Sequence, residues 1–310
     1  MAELLADYLS DLAAAVIEEM RLPELSGDEP LPPQTLPPQT LPPKPATTSV
    51  SAPKIRTPQV ITPQKDAPQT NVPQTVTRQT TVPQTPHAEQ ALPILSAADP
   101  EEELIMSKLK ALLAQCRSDS DAEEKREILR QMSGLVARCR RCPELVAERS
   151  KTVFGDGNPA AELVFVGEGP GADEDRQGLP FVGRSGQLLT DIITKGMKLR
   201  REDVYICNIV RCRPPGNRTP SPLESAACRD FLDATLQVIA PKFICCLGAT
   251  AATRLLDTTE PIGRLRSRVL DYNGAKVVCT YHPAYLLRNP PAKAQTWEDI
   301  KLLMRIMQER

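Results

Sequence analysis

No run of about 18 or more apolar residues occurs anywhere in the 310-residue chain, which argues against a membrane-spanning helix. The first twenty residues, MAELLADYLSDLAAAVIEEM, lack a basic leader segment and carry Asp and Glu throughout, so they do not read as a secretory signal. No G-x-x-x-x-G-K-[ST] phosphate loop is present, and no G-x-G-x-x-G leads straight into a helix; both omissions argue against a nucleotide triphosphate or a dinucleotide as the ligand. Histidine is nearly missing as well. Of the two, His87 lies in a proline-rich stretch, which leaves His282 as the one candidate imidazole for chemistry. Net charge is also close to nil, at −1. That balance conceals an asymmetry: residues 136–310 carry 26 Lys+Arg against 20 Asp+Glu, whereas residues 1–135 carry 12 against 19. A basic back half is compatible with a polyanionic partner.

Cysteine, by contrast, is abundant at nine residues. Without a leader segment these thiols imply a reducing, cytoplasmic compartment, where clustered cysteines serve as metal ligands more often than as disulfides. Cys139 and Cys142 stand at C-x2-C spacing, and Cys212 and Cys228 follow with fifteen residues between them. Four thiolates in two groups suit zinc or an iron–sulfur cluster, and spacing alone does not choose. Cys207, Cys245, Cys246 and Cys279 fall in apolar runs, where cysteine is an ordinary small core residue, as Cys116 is in a helical stretch.

The chain divides by composition. Residues 1–22 read as a short amphipathic helix, with Leu5, Leu9, Leu12, Val16 and Met20 at helical spacing. Residues 23–100 hold 18 of the 31 prolines and five PQT tripeptides, a composition that cannot bury a core and reads as a disordered linker. Residues 101–310 form the folded domain, with 101–138 as a helical lead-in.

Within that domain four short β-rich runs, 161–167, 203–210, 242–248 and 276–282, alternate with helical stretches at 186–197, 221–240 and 248–257. This predicts a three-layer α/β/α sandwich around a central four-stranded parallel sheet. Ligands of such sheets bind beyond the carboxyl ends of the strands. There the sequence sets Glu168 and the loop GEGPGADEDRQGLPFVG, then Asn208, Gly248 and His282, bringing one acid, one amide and one imidazole to one end of the sheet. The acids Glu168, Asp173, Glu174 and Asp175 would repel a pyrophosphate, and with Phe181 they suit a neutral or cation-forming substrate.

The motifs GEGPGADEDRQGLPFVGRSGQLL, NIVRCRPPGNR and HPAYLLRNP, together with the four-cysteine pattern, closely resemble the family 4 uracil-DNA glycosylases, from about Cys139 to the C-terminus. The resemblance implies a [4Fe–4S] cluster on Cys139, Cys142, Cys212 and Cys228. It implies Glu168 as the catalytic acid, with Gly169 lining the site through its backbone. Glu174 matches the acid that excludes thymine, Phe181 the ring that stacks on the flipped base, Asn208 the amide that reads uracil, and His282 the imidazole near O2. Leu286 and Leu287 are candidate wedges for the vacated base stack, and Arg288, Arg264, Arg266 and Arg268 candidate phosphate contacts. The stretch RCRPPGNRTPS contains no His and no insertion, so turnover is expected in place of covalent trapping of the product. No Lys sits in the matched motifs, so no lyase step is expected. The implied activity is hydrolytic excision of uracil from single- or double-stranded DNA by a monomer, with the N-terminal helix as a candidate docking element for a protein partner. Two other readings stand beside it: a non-catalytic iron–sulfur DNA-binding module, and a glycosylase of broader range acting on hypoxanthine or xanthine.

Overall fold

The computed structural model describes residues 100–309. The amphipathic helix expected at 1–22 and the linker expected at 23–100 lie outside the described residues, except that Pro100 opens the first helix.

The lead-in is two helices, α1 (Pro100–Gln115) and α2 (Ala122–Arg138). Asp121 starts α2 with a capping box: its carboxylate accepts from the Glu123 and Glu124 amides, and the Glu124 side chain accepts from the Asp121 amide. After the short α3 (Pro143–Glu148) come β1 (Asp156–Gly157), β2 (Leu163–Gly167), α4 (Ala172–Gln177) and α5 (Arg184–Asp191), which runs on into a π turn, Ile192–Gly196. Then follow β3 (Tyr205–Asn208), α6 (Pro222–Ile239), β4 (Phe243–Leu247), α7 (Ala249–Leu255), α8 (Ile262–Leu265), β5 (Val269–Tyr272), β6 (Ala275–Thr280), α9 (Pro283–Arg288) and α10 (Ala292–Gln308).

The strands form one sheet in the order β1-β3-β2-β4-β6-β5. The four expected strands are its central, mutually parallel members; β1 and β5 add a short antiparallel edge on each side. Strand side chains alternate between two apolar layers. Val164, Val166, Cys207, Ile244, Cys246, Val277 and Cys279 face α1, α2, α6 and α7, while Leu163, Phe165, Ile206, Cys245 and Val278 face α5, α9 and α10. The four strand cysteines are completely buried and behave as core residues.

Chain order reverses at β2: the chain passes from β2 to its neighbour β3, then crosses over to β4 on the other side. A crevice opens beyond the carboxyl ends of the strands at such a point.

Candidate active site

In that crevice lies a pocket of ≈ 480 Å³. Glu168, Gly169, Glu174, Phe181, Asn208, His282 and Arg288 all line it. The pairing of β2 with β3 sets Gly167 directly opposite Asn208, so the first residue after β2 and the last of β3 stand side by side. A Cβ on Gly167 would collide with the Asn208 side chain and lie 2.6 Å from the Phe181 ring, so this glycine makes room for both. Asn208 is 1% exposed, and its Oδ1 is buried with no hydrogen-bond partner. An orphaned buried acceptor of this kind is costly unless a ligand satisfies it.

His282 caps α9. Its Nδ1 accepts the Ala284 amide at 3.1 Å, which leaves the ring proton of the neutral form on Nε2. Burial, helped by the Arg288 charge and opposed by Glu174, pushes the imidazole pKa down to about 4. The imidazole is therefore neutral throughout the physiological range and offers one N–H donor. Behind it Gly248, at φ 93°, brings its backbone so close that a Cβ would lie 2.9 Å from the His282 Cβ.

Phe181 is 6% exposed and sits at φ 52°, a left-handed conformation that is strained for a bulky residue. The surroundings enforce it. Arg201 donates to the Pro180 carbonyl at 2.8 Å and the Phe181 carbonyl at 3.2 Å, and the close packing of Gly186 beneath the same carbonyl admits no side chain. The ring lies 5.6 Å from the imidazole, tilted by 32°.

The acids of the glycine-rich loop divide by role. Glu174 accepts from the backbone amides of Gly171, Val182 and Gly183 at 2.8–3.1 Å, tying the loop before α4 to the segment that carries Phe181. Asp175, 3% exposed, accepts from the Ser150 and Lys151 amides. Asp173 pairs with Arg176 at the surface. Glu168 stays available at the pocket wall.

The four cysteines named above also converge. Cys139 ends α2, Cys142 starts α3, Cys212 follows β3 and Cys228 lies in α6; together with Leu145 and Phe231 they line a second small, apolar pocket. Burial and the neighbouring sulfurs push the Cys142 thiol up to about 12, and burial pushes Cys228 up to about 11. Among the described residues no three His, Cys, Asp or Glu groups gather tightly enough to hold a single metal ion.

Residues 154–301 match the family model described as the uracil DNA glycosylase superfamily. The type-4 uracil-DNA glycosylase of Thermotoga maritima is 49% identical over 165 residues, which is 53% of this chain and 85% of that protein. That of Archaeoglobus fulgidus is 41% identical over 174 residues, 54% and 86% of the two chains. That of Pyrobaculum aerophilum is 36% identical over 185 residues, 56% and 92%. The chain belongs to the type-4 uracil-DNA glycosylases.

Sequence reasoning missed one wall of this glycosylase's pocket. Pro214, Asn217, Arg218, Thr219 and Pro220 line it as well; the first three belong to the NIVRCRPPGNR segment that drew attention for Asn208 and Cys212, and Thr219 and Pro220 follow directly after it. Arg218 fastens this wall by an ion pair to Glu224, which drops to about 2 in pKa, and by another to Glu144.

The proposed DNA contacts fare unevenly. Leu286 is 1% exposed and packs in the core beside α10, so it does not present a wedge to a base stack. Helical geometry makes this necessary: α9 turns Pro283 and Leu286 inward together, leaving Leu287 half-buried and Tyr285 and Arg288 exposed. Arg288 lines the pocket, whereas Arg264 is exposed on α8 and is not among the residues that line it. Arg266 is an internal brace, bound to the buried Asp299 and stacked on Tyr281, and Arg268 pairs with Glu260. Among the described residues no helix is long and apolar enough to cross a membrane.

Proposed function

We propose that this glycosylase hydrolyses the N-glycosidic bond of deoxyuridine in DNA, releasing uracil and leaving an abasic site that enters base excision repair. The observation that carries the reading is the Asn208 amide, whose buried, unpartnered Oδ1 lies beside an aromatic ring on the wall of a pocket that also holds a carboxylate and a neutral imidazole.

A base within a duplex is out of reach, so the deoxyuridine leaves the stack and enters the pocket. Phe181 offers its face, with stacking worth about 1–3 kcal/mol per base. Asn208 accepts N3–H of uracil and donates to O4. Cytosine has a lone pair at N3 and an amino group at the 4-position, so it meets the same amide with both groups mismatched, which is costly in a buried site. Glu174 excludes thymine from a fixed position, because three backbone amides hold its carboxylate. As the C1′–N1 bond breaks, positive charge grows on the sugar and negative charge on the uracil. Glu168 faces the first and orients the attacking water, whose oxygen bonds to C1′ and whose proton passes to the Glu168 carboxylate; the C1′–N1 pair leaves on uracil, and the Nε2–H of His282 stabilises that negative charge at O2. Arg288 binds flanking phosphate and Leu287 fills the gap in the stack.

Cys139, Cys142, Cys212 and Cys228 hold a [4Fe–4S] cluster in this reading. The donor set fits: four thiols on one apolar pocket that Arg149 and Arg211 also line, with Arg149 donating to the Cys212 sulfur at 2.9 Å and Arg141 beside Cys139. A cluster held by these four residues would tie α2, α3, α6 and the segment after β3 together.

Oligonucleotides bearing uracil, hypoxanthine or a thymine mismatch, in single and double strands, test the activity. Alkali-labile breaks are expected at uracil. Intact uracil strands that nevertheless bind would leave a DNA-binding module, and breaks at hypoxanthine would widen the substrate range.

A fragment of residues 101–310 should excise uracil from short oligonucleotides at a rate within a few-fold of the full chain, since every residue assigned to the pocket and the cluster lies within it. Loss of activity in a folded, iron-bearing fragment would place part of the site in residues 1–100.

The lowered pKa of His282 predicts a pH profile. A free imidazole would titrate near 6.5, but here the neutral form persists down to about pH 4. Single-turnover excision by the wild type and by His282→Gln should run parallel between about pH 5.5 and 8, with the variant displaced downward by about tenfold or more. An acid limb near pH 6.5 that disappears in the variant would contradict a neutral donor.

A further inference from the structure

The largest fully buried side chain among the described residues belongs to an arginine, Arg211, at 0% exposure. Its Nη2 donates to Thr235 Oγ1 at 3.1 Å, while Nε and Nη1 have no hydrogen-bond partner. Among the described residues no carboxylate pairs with it. Its guanidinium lies 5.3 Å from the centre of the Phe154 ring and against the Cys207 thiol. An isolated cation in an apolar interior is strongly disfavoured unless a negative charge faces it. The uracil pocket supplies none, because Arg211 is not part of its wall.

The cysteine pocket does supply one when loaded. Arg211 immediately precedes Cys212 and lines the pocket of the four cysteines, with its backbone amide beside the Cys228 sulfur. Four thiolates around an iron–sulfur core leave a net negative charge. Arg149 and Arg141 also reach these sulfurs, but both are partly exposed, and Arg141 is already paired with Asp230 at 2.9 Å. Solvent and that partner weaken their fields, whereas Arg211 is fully buried and, among the described residues, paired with no carboxylate.

We propose that Arg211 is the internal counter-charge of the iron–sulfur cluster, a positioning residue that favours loading of the site and raises the cluster's reduction potential. The inference rests on the cluster assignment above and adds to it an electrostatic role for one residue that is not a ligand. A fixed positive charge favours the more negative, reduced form. Removing that charge moves the equilibrium toward the oxidised form.

Four full-length proteins purified without oxygen test the idea: wild type, Arg211→Met, Arg211→Lys and Thr235→Asp. Thr235→Asp sets a carboxylate at the one hydrogen-bonding side chain that Arg211 has, and so cancels its charge without removing it. Iron and sulfide content and the midpoint potential are measured on each. Arg211→Met and Thr235→Asp should each shift the one-electron equilibrium by at least tenfold toward the oxidised form, ~59 mV, and Arg211→Lys should stay close to wild type. Loading lost in Arg211→Met and Thr235→Asp but kept in Arg211→Lys equally supports a requirement for charge. Potentials within twofold of wild type in both neutralised variants overturn the proposal, as does loss of the cluster from Arg211→Lys, which would mark a requirement for shape. A wild-type protein without iron and sulfide refutes the cluster assignment itself, a result distinct from either.

Discussion

Asn208→Asp should slow single-turnover release of uracil by about ten- to a hundredfold, the cost of about 1–3 kcal/mol for an unsatisfied buried polar pair. The position is fixed by the sheet. Asn208 is the last residue of β3, stands in register with Gly167, and cannot retreat, because its side chain is buried against that glycine. Aspartate keeps the shape and replaces the amide donor with an acceptor. Its second oxygen then faces the O4 lone pairs of uracil, and it can accept from the 4-amino group of cytosine. Weak cytosine excision is therefore expected in the variant, limited by the poorer leaving group. The check is a single-turnover time course on paired oligonucleotides that differ only in uracil against cytosine.

Glu168→Gln should act on a different quantity. In the proposed mechanism the carboxylate faces charge that develops only as the glycosidic bond breaks, so its removal should raise the barrier without touching the base-reading contacts. A fall of about a hundredfold or more in the chemical step is expected, the usual scale for a positioned general base, with uracil-DNA affinity within a few-fold of wild type. Glu174→Gln provides the contrast. That carboxylate accepts three backbone amides and tethers the Phe181 segment, so its loss should weaken binding along with rate.

The parallel core of the fold was legible because its strands are buried on both faces, which writes them as continuous apolar runs such as LVFVG and FICCL. The edges were not. β1 has two exposed residues, and β5 alternates exposed with half-buried positions, so neither carries enough apolar signal to stand out. The site was legible wherever chemistry follows a strand, as with Glu168, Asn208 and His282. It was illegible wherever tertiary contact assigns the role. Glu174 and Asp175 look like a charge cluster in the sequence and turn out to be acceptors for backbone amides from distant turns. The left-handed backbone of Phe181 depends on Arg201 and Gly186, and no local pattern announces it. Two adjacent leucines, Leu286 and Leu287, cannot both face the DNA from one helix, and the sequence does not say which turns inward. In the same way Arg211 is one of several arginines in the stretch NIVRCRPPGNR, with nothing in the sequence to set it apart, whereas the fold buries it beside the cysteines.

The measurement that tests the account most directly is single-turnover excision beside equilibrium binding of uracil-DNA, at one salt concentration, for wild type, Asn208→Asp and Glu168→Gln. The account predicts that Asn208→Asp loses discrimination between uracil and cytosine together with rate, and that Glu168→Gln loses rate alone. Wild-type uracil kinetics in Asn208→Asp, or a Glu168→Gln protein that loses affinity while its chemical step is unchanged, would contradict the roles assigned to the pocket.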